Sequence, residues 1–177
     1  MYIGRHEGPV LAIDPSSKCC GFAFGTPRGM GVNIRFTGKI QPKKRLIAND
    51  RIREMCQHFQ NITNYYDPAL IVIESPSGKV HGRFGKTKVP ALAIYGMAVG
   101  AIWATCLYSR NIHPDRVHLV NANEWTAGKS KDDRRIRANA LWKPYSVKKD
   151  PGGDISDAIC LLDWFCRHME IERIKKS

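Results

Sequence analysis

Val10-Leu-Ala-Ile-Asp14-Pro15 sets four apolar residues ahead of an acid and a proline, and Leu70-Ile-Val-Ile-Glu74-Ser-Pro76 repeats the arrangement further along the chain. Short apolar runs bounded by turn residues read as strands buried on both faces. A charge at the end of such a run is costly unless the strand's carboxyl edge opens on water or a cation. In open α/β sheets that edge is where ligands bind. A third acidic feature is Gly152-Gly-Asp154-Ile-Ser-Asp157. Two aspartates three residues apart on one helical turn point the same way, and a helix N-terminus favours their ionised form.

Three of the acids also have a local explanation to weigh. Asp14 can open a turn before proline, and Asp154 can cap a helix with Asp157 completing a capping box. Glu74 has no such job, whereas a single cluster accounts for all four. Clustered carboxylates repel one another and hold protons more tightly unless divalent cations neutralise them. Oxygen-only ligation suits Mg2+ or Mn2+ rather than Zn2+. Two such ions about 3.5–4 Å apart can activate a water and stabilise the leaving oxygen of a phosphodiester. Asp14, Glu74, Asp154 and Asp157 are therefore the candidate metal ligands and catalytic acids, with no small-molecule cofactor expected.

Around these points the pattern fills in. Val117 to Val120 is a third buried strand, and Gly21 to Gly25 and Gly31 to Gly38 are two more, with turn signals at Thr26 to Gly29 between them. Ile52, Met55, Cys56, Phe59 and Ile62 recur at helical steps that end near Asp67-Pro68. Val89 to Ser109 predicts a long apolar helix, and Lys129 to Arg137 opens another that runs to about Trp142. The last helix starts at Asp154, with Ala158, Ile159, Leu162, Phe165, Cys166 and Met169 on its buried face. The order β-β-β-α-β-α-β-α-α implies an α/β fold with a mixed five-stranded sheet and helices on both faces.

The 177 residues suit one domain with one core and exclude a large multi-lobed enzyme. That also argues against an ATPase of the actin or sugar-kinase type, which needs two such lobes. Lys and Arg number 28 against 16 Asp and Glu, a net charge of +12, so the expected partner is a polyanion, nucleic acid before membrane. The six cysteines show no CxxC pairing and read as reduced core thiols. No charged segment followed by an apolar one opens the chain, so a reducing, cytoplasmic compartment is expected. Val89 to Ser109 is long enough to cross about 30 Å of hydrocarbon. Pro90, Gly96, Gly100 and two tyrosines interrupt it, and it is read as a buried central helix rather than a span.

These residues resemble the RuvC family of Holliday junction resolvases, in the ribonuclease-H-like superfamily. Leu11-Ala-Ile-Asp-Pro-Ser-Ser17 followed by Gly21-Phe-Ala-Phe is similar to the family's first-strand motif, and Val72-Ile-Glu74 to its second-acid strand. Tyr95-Gly-Met-Ala-Val-Gly100 is similar to the family's central-helix segment, and Asp154-Ile-Ser-Asp-Ala158 to its closing Asp-x-x-Asp-Ala. The resemblance covers nearly the whole chain in order and implies a single nuclease domain over residues 1–177. It implies a Mg2+-dependent homodimer whose two sites nick opposed strands of a four-way DNA junction symmetrically. The central helix would lie at the dimer interface, which suits Gly96, Ala98 and Gly100. Lys131 best matches a lysine that contacts the scissile phosphate. The family's second lysine, nearer the fifth strand, has no clear counterpart; Trp125 falls about there.

Between Lys79 and Lys88 stand Lys79, Arg83, Lys86 and Lys88 with no acid, interleaved with His81 and Phe84. Directly after Glu74, such a loop is placed to hold phosphates while an aromatic ring probes strained base steps. In the family the corresponding loop enters the junction centre, making Phe84 the candidate wedge. Lys129, Lys131 and Arg134 join the candidate DNA contacts, and Lys43 to Arg45, Arg135 and Arg137 add charge. The competing readings are a nuclease of the same fold acting on other branched DNA or on precursor RNA, and a non-catalytic nucleic-acid-binding module.

Overall fold

Alternation along β1 (Val10–Pro15) decides the architecture. Val10 and Ala12 face one core while Leu11 and Ile13 face another, all fully buried, as the period of two in a strand requires. The computed structural model describes residues 8–16, 18–43, 45–76, 89–109 and 112–175. β1 lies at the centre of a five-stranded sheet with β2 (Cys20–Arg28), β3 (Gly31–Ile40), β4 (Leu70–Ser75) and β5 (Val117–Asn121), in the order β3-β2-β1-β4-β5. The first three strands form an antiparallel meander, and β4 and β5 run parallel to β1.

Helices cover both faces. On one side lie α1 (Ala48–Tyr66) and α2 (Val89–Tyr108), which supply Ile52, Met55, Phe59, Ile102 and Cys106 to the core they share with Leu11 and Ile13. On the other lies α5 (Asp154–Ile174), flanked by α4 (Lys131–Leu141) and a short α3 (Ala122–Thr126). The residues from Ser156 to Asp163 on α5 are all buried, because the sheet covers one side of the helix and α4 another.

The expected strands, helices and mixed sheet are all present, with three differences. The α3 turn, which carries Trp125, had no periodicity to reveal it. The helix expected from Lys129 begins at Lys131, where Ser130 and Asp133 form a reciprocal capping box. And α2 is not a buried central helix: 22% of its Ala91–Tyr108 stretch is buried. It sets Ala98, Val99, Ile102 and Cys106 on the core, and leaves Leu92, Gly96, Met97, Gly100 and Trp103 on an exposed apolar face. It is long and apolar enough to cross a membrane by length and composition, yet it packs on the sheet and on α1. The cysteines are all free, and burial pushes the thiols of Cys106, Cys160 and Cys166 up to about 12, as inert core thiols should be.

Small residues on the α5 side of the sheet let that helix sit close. A β-carbon at Gly21 would overlap the backbone carbonyl of Asp154, so the start of α5 rests directly on β2. Gly21→Ala is expected to destabilise the fold by about 1–3 kcal/mol through overpacking, read as a lower midpoint in thermal unfolding. An unchanged midpoint would show that α5 does not need this close approach.

Candidate active site at the carboxyl edge of the sheet

The alternation that splits the two cores also aims the acids. Asp14 continues the face of Val10 and Ala12, and Glu74 continues that of Leu70 and Val72, so both point toward the α5 side. Ile13 pairs with Ile73, which brings the two acids to the same edge on adjacent parallel strands. α5 begins above them with Asp154 and Asp157 in its first turn. The four carboxylates expected from the sequence thus come together from three elements.

Their electrostatics show the proximity. Burial, then the charges of Glu74, Asp157 and Asp154, hold the Asp14 carboxyl well above the usual carboxylate range, against only a small pull from Lys131. Glu74 is raised by burial and by Asp157, and is restrained by hydrogen bonds from Trp125 and Tyr95. The Trp125 indole N–H donates to Oε2 of Glu74 at 2.9 Å, and the Tyr95 hydroxyl to Oε1 at 3.3 Å.

α5 starts at Asp154, the Asp157 N–H donates to the Gly153 carbonyl, and both aspartate side chains have basic partners. Asp154 accepts from Nζ of Lys39 at 2.5 Å, and Asp157 accepts from Nε and Nη2 of Arg134 at 2.7 and 3.2 Å. Lys39 was not legible as a site residue. Its only signal is register: Asp14 pairs with Gly21 and Gly21 with Lys39, a row across three strands that passes beneath Asp154.

Of the expected basic residues, Lys131 is exposed at the start of α4, and its side chain lies against Gly153, where a β-carbon would run into it. Lys129 is exposed. Arg134 is turned inward onto Asp157, with 15% of its side chain exposed. Arg135 bonds Asp132 and the Pro151 carbonyl, and Arg137 bonds Asp163. Lys79, His81, Arg83, Phe84, Lys86 and Lys88 lie outside the described residues.

Among the described residues, no group of three or more His, Cys, Asp or Glu side chains is gathered as a ready metal site, and Lys39 and Arg134 pair with two of the four acids. The donor chemistry nonetheless suits a hard divalent cation: all four groups are carboxylates, and Asp14 carries a charge that its surroundings oppose. An aspartate raised in the folded state contributes stability that is present at low pH and lost as pH rises through its raised value. Asp14→Asn is therefore expected to raise the unfolding temperature in chelator at mildly alkaline pH. The gain should shrink as pH falls toward the ordinary carboxylate range. A variant no more stable than wild type across that range would contradict the crowding of the acids.

Searched by sequence, the chain matches no protein-family model and no curated protein. Its structure matches several solved ones. RuvC of T. thermophilus in complex with a Holliday junction substrate superposes with a TM-score of 0.69 at 10% identity, over 93% of this chain and 96% of that one. The yeast mitochondrial Holliday junction resolvase Ydc2 gives 0.61 at 13% identity, over 94% and 81%. The fowlpox virus Holliday junction resolvase gives 0.50 at 13% identity, over 86% and 93%. The superpositions and near-complete mutual coverage show that the chain, a mixed five-stranded sheet with helices on both faces, has the ribonuclease-H-like fold of the RuvC resolvases.

Proposed function

We propose that this protein is a metal-dependent endonuclease that resolves four-way DNA junctions. The observation that carries the reading is the convergence of Asp14, Glu74, Asp154 and Asp157 at one sheet edge, with Asp14 under the combined field of the other three. That arrangement is unfavourable on its own and becomes favourable around divalent cations. The net charge of +12 supports a polyanionic substrate, and the likeness in fold to resolvases supports a junction as that substrate.

In this reading Asp14, Glu74, Asp154 and Asp157 would hold Mg2+, with Mn2+ as a substitute. The bound ions would activate a water and stabilise the leaving oxygen of an in-line displacement. The chain's own residues do the rest. Lys131, exposed beside Gly153 and acting favourably on the Asp14 carboxylate, would take a phosphate oxygen at the edge of the cluster. Tyr95 and Trp125 orient Glu74. Lys39 and Arg134 neutralise the α5 aspartates, and the phosphates of an arriving strand compete for Lys39. The exposed face of α2, with Leu92, Gly96, Met97, Gly100 and Trp103, is the surface a second copy would cover in a homodimer. Two sites so paired would nick opposed strands symmetrically.

One observation favours a second reading. Lys39 and Arg134 satisfy two of the acids without any metal, as a non-catalytic junction-binding module would require. Incubating the protein and Mg2+ with a four-way junction, a linear duplex and an RNA hairpin separates these readings. The junction is expected to be cut and the other two far more slowly. Asp14→Asn is expected to reduce cutting by at least about 10²–10³-fold while junction binding in a gel-shift assay survives. Equal rates on the three substrates would remove the junction specificity, and tight junction binding without cutting would favour the binding module.

A further inference from the structure

Trp125 lies against the acid cluster, and its surroundings give it a role. It lies in α3, a five-residue helix that leaves the end of β5. Its backbone is held by the Asn121 cap, whose side chain accepts from the Asn123 N–H at 2.9 Å. Ala127 and Gly128 then take left-handed conformations, with φ of 46° and 76°, and turn the chain directly into α4. Ala127 is an L-residue in a region that favours glycine, so this turn is held by its surroundings. Its effect is to bring α4 back alongside Trp125.

Two contacts follow from that turn. The indole N–H donates to Glu74, and the Arg134 guanidinium lies over the same ring, its carbon 5.6 Å from the ring centre, within cation–π range. Arg134 is fully committed. Nε and Nη2 grip both oxygens of Asp157, and Nη1 donates to the Lys129 carbonyl at 2.8 Å. A planar fork of this kind fixes a carboxylate in orientation as well as in place. Burial alone, with Trp125 3% exposed, asks for an apolar side chain but not for an N–H aimed at Glu74.

We propose that Trp125 and Arg134 act as one positioning unit, in which the indole orients Glu74 and the guanidinium over its face orients Asp157, so that acids from β4 and α5 are held in a common geometry. The proposal rests on the reading of these acids as metal ligands and adds the residues that set their mutual placement. Neither residue touches the reacting atoms. Trp125 supplies a neutral donor to Glu74, and Arg134 supplies positive charge over the face of the same ring.

Trp125→Phe keeps an aromatic face in a smaller ring and deletes the donor, and Arg134→Lys keeps the charge and deletes the fork. Mn2+ binding to the full-length protein, followed by its electron paramagnetic resonance signal, is expected to weaken by about 10–100-fold in Trp125→Phe, the usual effect of losing a partner of a ligand. The unfolding temperature should fall modestly, because phenylalanine underfills the site, while the KM for junction DNA stays close to wild type. Arg134→Lys and Glu74→Gln should each move the Trp125 indole N–H resonance in a proton–nitrogen NMR spectrum, since both ends of the unit meet at that ring. In a double-mutant cycle the combined variant should lose less than the product of the two single losses. Wild-type Mn2+ binding with an unchanged Trp125→Phe overturns the proposal, as does an indole resonance indifferent to Arg134→Lys. Wild-type protein that binds no Mn2+ instead overturns the metal reading on which it rests.

Discussion

Mutual repulsion among four carboxylates at the edge of a buried sheet is the constraint around which this molecule is organised. Asp14 ends a strand that is apolar along its length, and its charge is opposed by burial and by three neighbouring acids. Such a cluster stands only where the surrounding structure compels it or where cations compensate it. Both occur here. The backbone compels it through Gly21, which lets α5 settle on the sheet with Asp154 and Asp157 over Asp14. Lys39 and Arg134 compensate it in part, each from a different element.

Seen this way, features with no obvious connection serve one purpose. The alternation of β1 and β4 sends both strand-ending acids to the same face. The capping box at Ser130 and Asp133 fixes the start of α4, where Lys131 and Arg134 stand one turn apart. The left-handed pair Ala127 and Gly128 folds α3 back so that Trp125 lies between Glu74 and Arg134. The same scaffold leaves the apolar face of α2 outside the core, a different use of a helix whose composition alone suggests full burial.

Much of this was legible before any coordinates. β1 and β4 were clear because strands buried on both faces write unbroken apolar runs, and an acid at the end of such a run has few structural explanations. Glu74 was the most informative acid for that reason. Asp154 and Asp157 were ambiguous because a helix cap and a site ligand share the same signature; only the Lys39 and Arg134 contacts, spanning 115 and 23 residues of sequence, distinguish them. Long-range pairs leave no local pattern. α3 escaped because five residues are too few for a helical period, and the exposure of α2 escaped because composition reports how apolar a helix is, not what covers it. The basic loop between Lys79 and Lys88 falls outside the described residues and stays an expectation from sequence.

The central claim is that the four acids form a divalent-cation site that Lys39 and Arg134 hold in the absence of metal. Anomalous diffraction from crystals grown with Mn2+ and a four-way junction tests it most directly. The account predicts Mn2+ within coordination distance of Asp14 and Glu74, with at least one α5 aspartate drawn off its basic partner. Crystals with no Mn2+ among the acids, and with both the Lys39–Asp154 and Arg134–Asp157 pairs intact beside bound DNA, would contradict it.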